Sequence, residues 1–342
     1  MRVRKLKHNA VEAYDFDIYS DENIADLGRL VANESVVLVD QKLDQKRTYD
    51  VQMQWGNPAH SIVHLATSVG TMKGVHWNSL RLNILNGSSE IEPDYRNTMS
   101  VVTYQRNKKG RPKGVFANGI LGWHSDQVAL NDGDRIIGLV SVEHTEGSQT
   151  AFLCTKEAYD KLNHEDKTMV DELQSVYRWN RENFTGNLID EQKQMVRYNQ
   201  VPVDGMMCKL QQSTPSGVKG IHFPGSLFYK FDGMSEEESI KFKEYLWEKI
   251  NRPEYIYTHD WKDGQVVYME QNITLHARPT DITDGNMRKL WRNISYMDKL
   301  YPGEGHRDEY TVDGKVMDGD EFLSLVDNIR KEEYESGRKV AI

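Results

Sequence analysis

The sequence predicts a mainly β fold, a sandwich or barrel with α additions. Two observations predict it. Short strand candidates crowd the chain after residue 121, at 135–143, 150–154, 206–211, 219–223, 227–231, 255–258, 265–270 and 289–296, with turn residues between them. No glycine-rich nucleotide loop, whether G-x-G-x-x-G or P-loop, follows a strand, which removes support for a parallel, doubly wound sheet.

Taken in order, the chain opens with mixed structure. Ser20 is a good N-cap residue, and Ile24, Leu27, Leu30 and Val31 recur after it at helical spacing. Val36, Val37, Leu38 and Val39 make a short, mostly β-branched run that reads as a buried strand. Residues 103–120, rich in Lys, Arg, Gly and Asn, read as an exposed hairpin or loop. Residues 135–143 and 150–154 read as strands separated by a Gly-containing turn. Residues 155–177 carry Ala158, Leu162, Met169, Leu173 and Val176 among charges and read as one or two helices. Ser235, with Glu238 three residues on, fits a capping box. The helix behind it presents Ile240, Tyr245, Leu246 and Ile250 and stops before Pro253. Asp263-Gly264 is a hairpin turn signal. Residues 318–338 space Phe322, Leu323, Leu325, Val326 and Ile329 as a C-terminal helix packed on the body.

Composition removes whole classes of function. Lys plus Arg number 43 and Asp plus Glu 52, a net charge of −9, which argues against gripping nucleic-acid phosphates despite the basic stretch at 106–113. Cys154 and Cys208, the two cysteines, cannot build a disulfide framework or a four-Cys zinc site and read as small buried hydrophobes. No window approaches the ~18 uninterrupted apolar residues of a membrane span, and the basic start lacks the apolar core of a secretory signal. The expectation is a cytoplasmic protein without membrane contact that acts on a small molecule. Self-association stays open.

The most informative stretch is Gly122-Trp123-His124-Ser125-Asp126-Gln127. His and Asp two apart on a strand face the same way, so both can reach one metal ion. Taken alone, such a pair is common and usually structural. A third ligand is offered by His276, just after the apolar strand ending near Met269. Two histidines and one carboxylate form the facial triad of non-haem Fe(II) oxygenases, with positions left open for co-substrate and O2. Arg288 and Arg292 follow, four apart, which on a strand means one face. Two guanidinium groups aimed into such a site expect an anion. His144 could be mistaken for a ligand, His222 and His259 read as ordinary, and Trp123 and Trp291 read as packing outward.

With those residues in place, the chain resembles the taurine dioxygenase (TauD/TfdA) family of Fe(II)- and 2-oxoglutarate-dependent dioxygenases over roughly residues 12–300. The residues that carry the resemblance are the strand 37–41, the metal motif at 123–126, the turn and threonine at 146–150, the helix and exit at 233–239 and 252–255, and the ordered set Asn272, His276, Arg288 and Arg292. Where the family has Trp-Asp before the asparagine, this chain has Glu270-Gln271.

The resemblance implies a double-stranded β-helix, a jelly-roll or cupin-like barrel. N-terminal α/β elements would occupy 1–115 and the core 116–300, with helical insertions near 155–200 and 235–250. A C-terminal extension with its helix would occupy 303–342, all in one domain spanning 1–342. It implies His124, Asp126 and His276 as iron ligands and catalytic centre, Thr150 and Arg288 for the distal carboxylate of 2-oxoglutarate, and Arg292 facing the substrate. Asn118 and Phe228 match pocket positions more weakly. The implied cofactors are Fe(II), 2-oxoglutarate as co-substrate and O2. The implied reaction hydroxylates a C–H bond of a small anion, a sulfonate, carboxylate or amino-acid-like compound, releasing succinate and CO2. Two other readings compete: a catalytically inactive binding protein of the same fold, and a zinc hydrolase using the same triad. Were Arg292 paired with an internal acid, an amino acid or another small metabolite would be as good a substrate.

Overall fold

The computed structural model describes residues 1–7, 9–57, 90–95, 98–106, 108, 113, 119–126, 135–177, 206–225, 228–280, 287–302, 310–312 and 315–317. β1 (Arg2–Lys5) and β2 (Ala10–Tyr14) form an antiparallel ribbon. α1 (Asp21–Glu34) then returns the chain so that β3 (Val36–Val39) runs parallel to β2. Ser20 holds the N-cap position with an extended backbone, but its side chain makes no capping hydrogen bond. Asp21 and Glu22 in the first turn supply favourable charge there instead. Ile24, Leu27 and Val31 are buried, as the spacing required. Gly28 lies on the same face because α2 (Gln45–Trp55) packs against it: a Cβ there would stand 2.6 Å from Trp55 and 2.5 Å from Leu300.

Two sheets organise the rest. The larger joins β1, β2 and β3 to β4 (Met99–Thr103), β6 (Arg135–Glu143), β14 (Val266–Glu270) and β16 (Lys289–Tyr296), in the order β1-β2-β3-β14-β6-β16-β4. The smaller has the order β13-β7-β15-β5, from β5 (Leu121–His124), β7 (Gln149–Cys154), β13 (Ile256–Asp260) and β15 (Thr274–Arg278). The helices α1 and α2 cover one face of the larger sheet, where Leu27, Val31 and Trp55 meet Val37, Ile136 and Tyr268. Its other face, with Leu38, Leu139, Val267 and Leu290, packs on Phe152, Tyr257 and Trp261 of the smaller sheet. Strand alternation requires this: Ile136, Gly138 and Val140 turn one way, and Ile137, Leu139 and Ser141 the other. The far face of the smaller sheet, with Leu153 and Leu275, is covered by α3 (Lys156–Asp160), α4 (His164–Glu172) and α5 (Glu236–Ile250). Both halves of the capping box on α5 form between Ser235 and Glu238.

Several expectations need correction. Residues 174–177 are not helical: α4 ends at Leu173, whose ψ of 146° is extended, and Gln174–Tyr177 becomes β8. That strand pairs with both β9 (Met206–Lys209) and β12 (Phe228–Phe231), which is how Ser175, Val176 and Tyr177 become buried. The single strand read at 206–211 breaks at Leu210. After the break, β10 (Gln211–Ser213) pairs with β11 (Lys219–Ile221) in a different sheet. Asp263-Gly264 makes a turn but no hairpin, because β13 and β14 belong to different sheets. The Asp263 carboxylate accepts from the N–H groups of His144 and Thr145 and from the Thr145 hydroxyl, tying together two crossings between the sheets. Gly264 has φ 87°, the left-handed region that favours glycine. Thr103, Tyr104 and Gln105, read as the start of an exposed loop, are buried. The rest of that loop is largely outside the described residues, as are 178–205 of the helical insertion and the helix read at 318–338. Of the extension, β17 (Tyr310–Val312) and β18 (Lys315–Met317) pair antiparallel.

Candidate metal centre

The two sheets bring distant residues together at one edge. His276 on β15 pairs in register with His124, the last residue of β5, and their rings lie 4.1 Å apart. Asp126 stands in the turn that follows, so its approach to His124 is set by that turn and not by strand alternation. Two hydrogen bonds pin the turn to the β14–β15 connection. The Ser125 hydroxyl donates to the Thr274 carbonyl at 3.1 Å, and the Asp126 N–H donates to Gln271 Oε1 at 2.8 Å. Glu270 shapes that connection from inside, accepting from the N–H groups of Asn272 and Ile273. Glu270-Gln271 therefore hold the metal motif from behind.

Asp126 Oδ1 lies 3.5 Å from His124 Nε2 and 4.0 Å from His276 Nε2, and one ligand atom from each of the three residues lies within 4.8 Å of the others. Neighbouring ligands on one ion, each bound at roughly 2.1 Å, stand about 3 Å apart. Contractions of about 0.5 and about 1 Å along these two pairs would close them on a metal. The protonation states fit as well. His124 Nδ1 lies 2.7 Å from the Gly122 carbonyl, the arrangement of a donating Nδ1–H that leaves Nε2 as a lone pair. Burial pushes His276 down to about 3, so its ring is neutral at neutral pH. Burial opposes ionisation of Asp126, but the Arg292 guanidinium outweighs it, and the carboxyl is held well below the usual range. Two imidazoles and a carboxylate, without thiolate, suit Fe(II).

Arg292 is where the structure departs most from expectation. Its Nε donates to Asp126 Oδ2 at 2.6 Å, so it is paired with an internal acid and not free to grip an anion with its whole fork. Arg288 and Arg292 also do not simply share a strand face. Arg288 precedes β16, and the register shifts between Lys289 and Leu290. That bulge sends Lys289 to Glu90 and Glu143, at 3.0 and 2.6 Å.

Arg288 is buried beside Arg278, and burial together with the Arg278 charge lowers it to about 9. Arg278 was not singled out from the sequence, although its place two residues beyond His276 on one strand face could have flagged it. It is buried and donates to the Tyr104 hydroxyl at 3.0 Å and the Gly119 carbonyl at 3.2 Å. The β15–β7 register, Ala277 opposite Ala151, sets Arg278 across from Thr150. Thr150 and Arg278 thus share the inner side of the smaller sheet, and Arg288, arriving from the larger sheet, lies close enough to Arg278 for their charges to interact.

The remaining candidates fall elsewhere. Phe228 packs in the cluster on the far face of the smaller sheet, against Phe231 and under the Lys243 ammonium. Asn118 is outside the described residues. His144 is exposed in a turn with φ 56°, not on a strand. Trp123 and Trp291 pack on the outer clusters, and both cysteines are buried. Trp261, which touches Thr150, carried no signal in the sequence, and Gln271, which touches Asp126, was marked only as a departure from the family's Trp-Asp.

Comparison with known proteins bears on this geometry. The family model described as "Taurine catabolism dioxygenase TauD, TfdA family" matches residues 2–293. An (S)-phenoxypropionate/alpha-ketoglutarate-dioxygenase of Sphingobium herbicidovorans is 24% identical over 215 residues, 61% of this chain and 68% of that protein. An alkylsulfatase of Acinetobacter baylyi is 26% identical over 202 residues, 56% of this chain and 60% of that protein. Among solved structures, AAD-2 in complex with Mn(II) and N-oxalylglycine superposes with a TM-score of 0.61 at 20% identity, covering 86% of this chain and 96% of that one. A taurine dioxygenase from Burkholderia xenovorans gives 0.59 at 20% identity, covering 95% and 97%. In the described residues no helix is long and apolar enough to cross a membrane.

Proposed function

Because the chain belongs to the TauD/TfdA family, and is therefore a dioxygenase that uses Fe(II), 2-oxoglutarate and O2, we propose that it hydroxylates a C–H bond of a small substrate, a sulfonate or carboxylate or, since Arg292 is paired with Asp126, equally an amino acid or another small metabolite, releasing succinate and CO2. The observation that carries the reading is the convergence of His124, Asp126 and His276 from two strands and a turn. In this reading these three hold the iron. Bound together, Fe(II), 2-oxoglutarate and O2 supply the oxidising power that amino-acid side chains lack.

The chain's own residues then bind, orient and exclude water. Thr150 and Arg288 take the distal carboxylate of 2-oxoglutarate, and burial around Arg288 strengthens that ion pair. Arg292 acts in two ways. Its Nε fixes one oxygen of Asp126, leaving the other for the metal, and its two terminal amines remain for the substrate anion. The names of the two relatives, a phenoxypropionate dioxygenase and an alkylsulfatase, fit anionic substrates. Phe228 and Asn118 stay outside the part of the proposal that rests on geometry. We read the chain as one cytoplasmic domain, a double-stranded β-helix, since ligands 152 residues apart in sequence must meet.

Asp126→Ala tests the reading. It should abolish O2-dependent succinate formation and weaken iron binding. Undiminished succinate formation in that variant would sink the assignment. No succinate from the wild type with any sulfonate, sulfate ester or carboxylate would favour the non-catalytic binding protein.

A further inference from the structure

The hydroxyl of Thr150 is held in one particular way. Trp261 Nε1 donates to Thr150 Oγ1 at 2.9 Å. An indole N–H only donates, and a hydroxyl has a single hydrogen to give. Thr150 therefore receives from Trp261, and its own hydrogen is left for another acceptor. Thr150 is 5% exposed, and among the described residues its hydroxyl makes no second hydrogen bond. A buried donor in that state is costly unless something arrives to accept from it.

Trp261 is itself fixed from several sides. It is 2% exposed in the core between the sheets, and its main-chain N–H donates to the Ser148 carbonyl at 3.0 Å. Its ring meets His259 edge-on at 4.6 Å, and His259 Nδ1 lies 3.0 Å from the Tyr257 hydroxyl. His259 is the register partner of Thr150 across β13 and β7. On the opposite flank of Thr150 stands Arg278, with Arg288 beside it. A donating hydroxyl and guanidinium groups thus meet on one side, backed by a rigid aromatic wall.

We propose that Trp261 is a positioning residue for co-substrate binding: by donating to Thr150 it commits the Thr150 hydroxyl as a donor to the distal carboxylate of 2-oxoglutarate. The proposal rests on the function given above and adds a residue that does not touch the co-substrate. Its reach is specific to that carboxylate. A 2-oxo acid without one, such as 2-oxobutanoate, has nothing for the hydroxyl to bond.

The test is calorimetric titration of the full-length, Mn(II)-loaded protein with 2-oxoglutarate and, separately, with 2-oxobutanoate. Trp261→Phe keeps the aromatic ring and removes the N–H. Thr150→Val keeps the shape and removes the hydroxyl. Thr150→Val should weaken 2-oxoglutarate binding about tenfold, the loss of one hydrogen bond to a charged group, and Trp261→Phe about threefold, because its hydroxyl keeps the hydrogen but loses the partner that orients it. Each should leave 2-oxobutanoate within about twofold, a level at which no whole hydrogen bond is lost. The double variant should bind 2-oxoglutarate no more weakly than Thr150→Val, because the indole acts only through the hydroxyl. Unchanged 2-oxoglutarate affinity in Trp261→Phe, equal weakening of both ligands, or additive losses would each overturn the proposal. If Trp261→Phe does not fold, unchanged 2-oxoglutarate affinity in Thr150→Val overturns it equally. Wild-type protein that binds 2-oxobutanoate but shows no preference for 2-oxoglutarate overturns the proposal while leaving the metal centre standing. Wild-type protein that binds neither overturns the proposed function, and the role of Trp261 with it.

Discussion

Arg292→Met removes the guanidinium that donates to Asp126 and keeps most of the side chain's length and apolar stem. In the metal-free protein the consequence is a carboxylate left in a mostly buried place without that partner. The pair is close, at 2.6 Å, and its side chains are only 13% and 17% exposed. At an effective dielectric of 20, opposite charges about 4 Å apart attract by about 4 kcal/mol. Breaking a buried pair by removing one member costs about 3–5 kcal/mol. The two figures agree, and for a chain of 342 residues they correspond to a fall in melting temperature of roughly 4–7 °C. A divalent ion on Asp126 changes the account, because the metal then neutralises the carboxylate that Arg292 left behind. The variant should therefore lose much less stability when loaded with Mn(II) than after chelation. Thermal unfolding of wild type and variant, with EDTA and with excess Mn(II), reads the difference. Equal losses in the two conditions would refute the reasoning, since they would mean that Arg292 and the metal do not share Asp126.

Two other perturbations follow from the same geometry. Gln271→Leu leaves the Asp126 N–H without its acceptor and loosens the turn that carries the ligand. Metal affinity should fall about 10–100-fold, as for other supports behind metal ligands, with the fold retained; unaltered affinity in a metal titration would count against a supporting role. His259 is pushed down to about 4 by burial. An unfolded histidine takes up its proton near pH 6.5, so the folded protein is fully stabilised above that value. It loses about 3 kcal/mol as pH falls from about 6.5 to about 4. His259→Gln should flatten that part of the profile, measured by urea unfolding at several pH values, and an unchanged difference between pH 7 and pH 4.5 would contradict it.

Much of the candidate metal centre was legible because its signals are local or strongly typed. A histidine and an aspartate two apart, a distant histidine after an apolar strand, and arginines four apart each leave a mark that survives without coordinates. Many of the strands after residue 121 were also readable from β-branched runs and turns, although β8 and β15, the strand that carries His276, were not. What escaped depended on contacts between sheets. Asp263-Gly264 has the chemistry of a hairpin, yet β13 and β14 lie in different sheets, and sequence does not say which sheet a strand joins. Val176 has helical spacing to Leu173 and Met169, but pairing with two strands overrode it. The bulge after Lys289 upset the alternation that had placed both arginines on one face. Trp261 looks ordinary in sequence, and Gln271 shows only as a departure from the family motif, because their importance lies in what they donate to or accept from more than a hundred residues away.

The central claim is that His124, Asp126 and His276 hold one Fe(II) to which 2-oxoglutarate binds. Anaerobic addition of Fe(II) and 2-oxoglutarate, followed by visible absorption, tests it most directly. The wild-type protein should develop a weak charge-transfer band that saturates at one iron per chain, and His276→Ala should not. Absence of the band in the wild type, or its full retention in His276→Ala, would contradict the account.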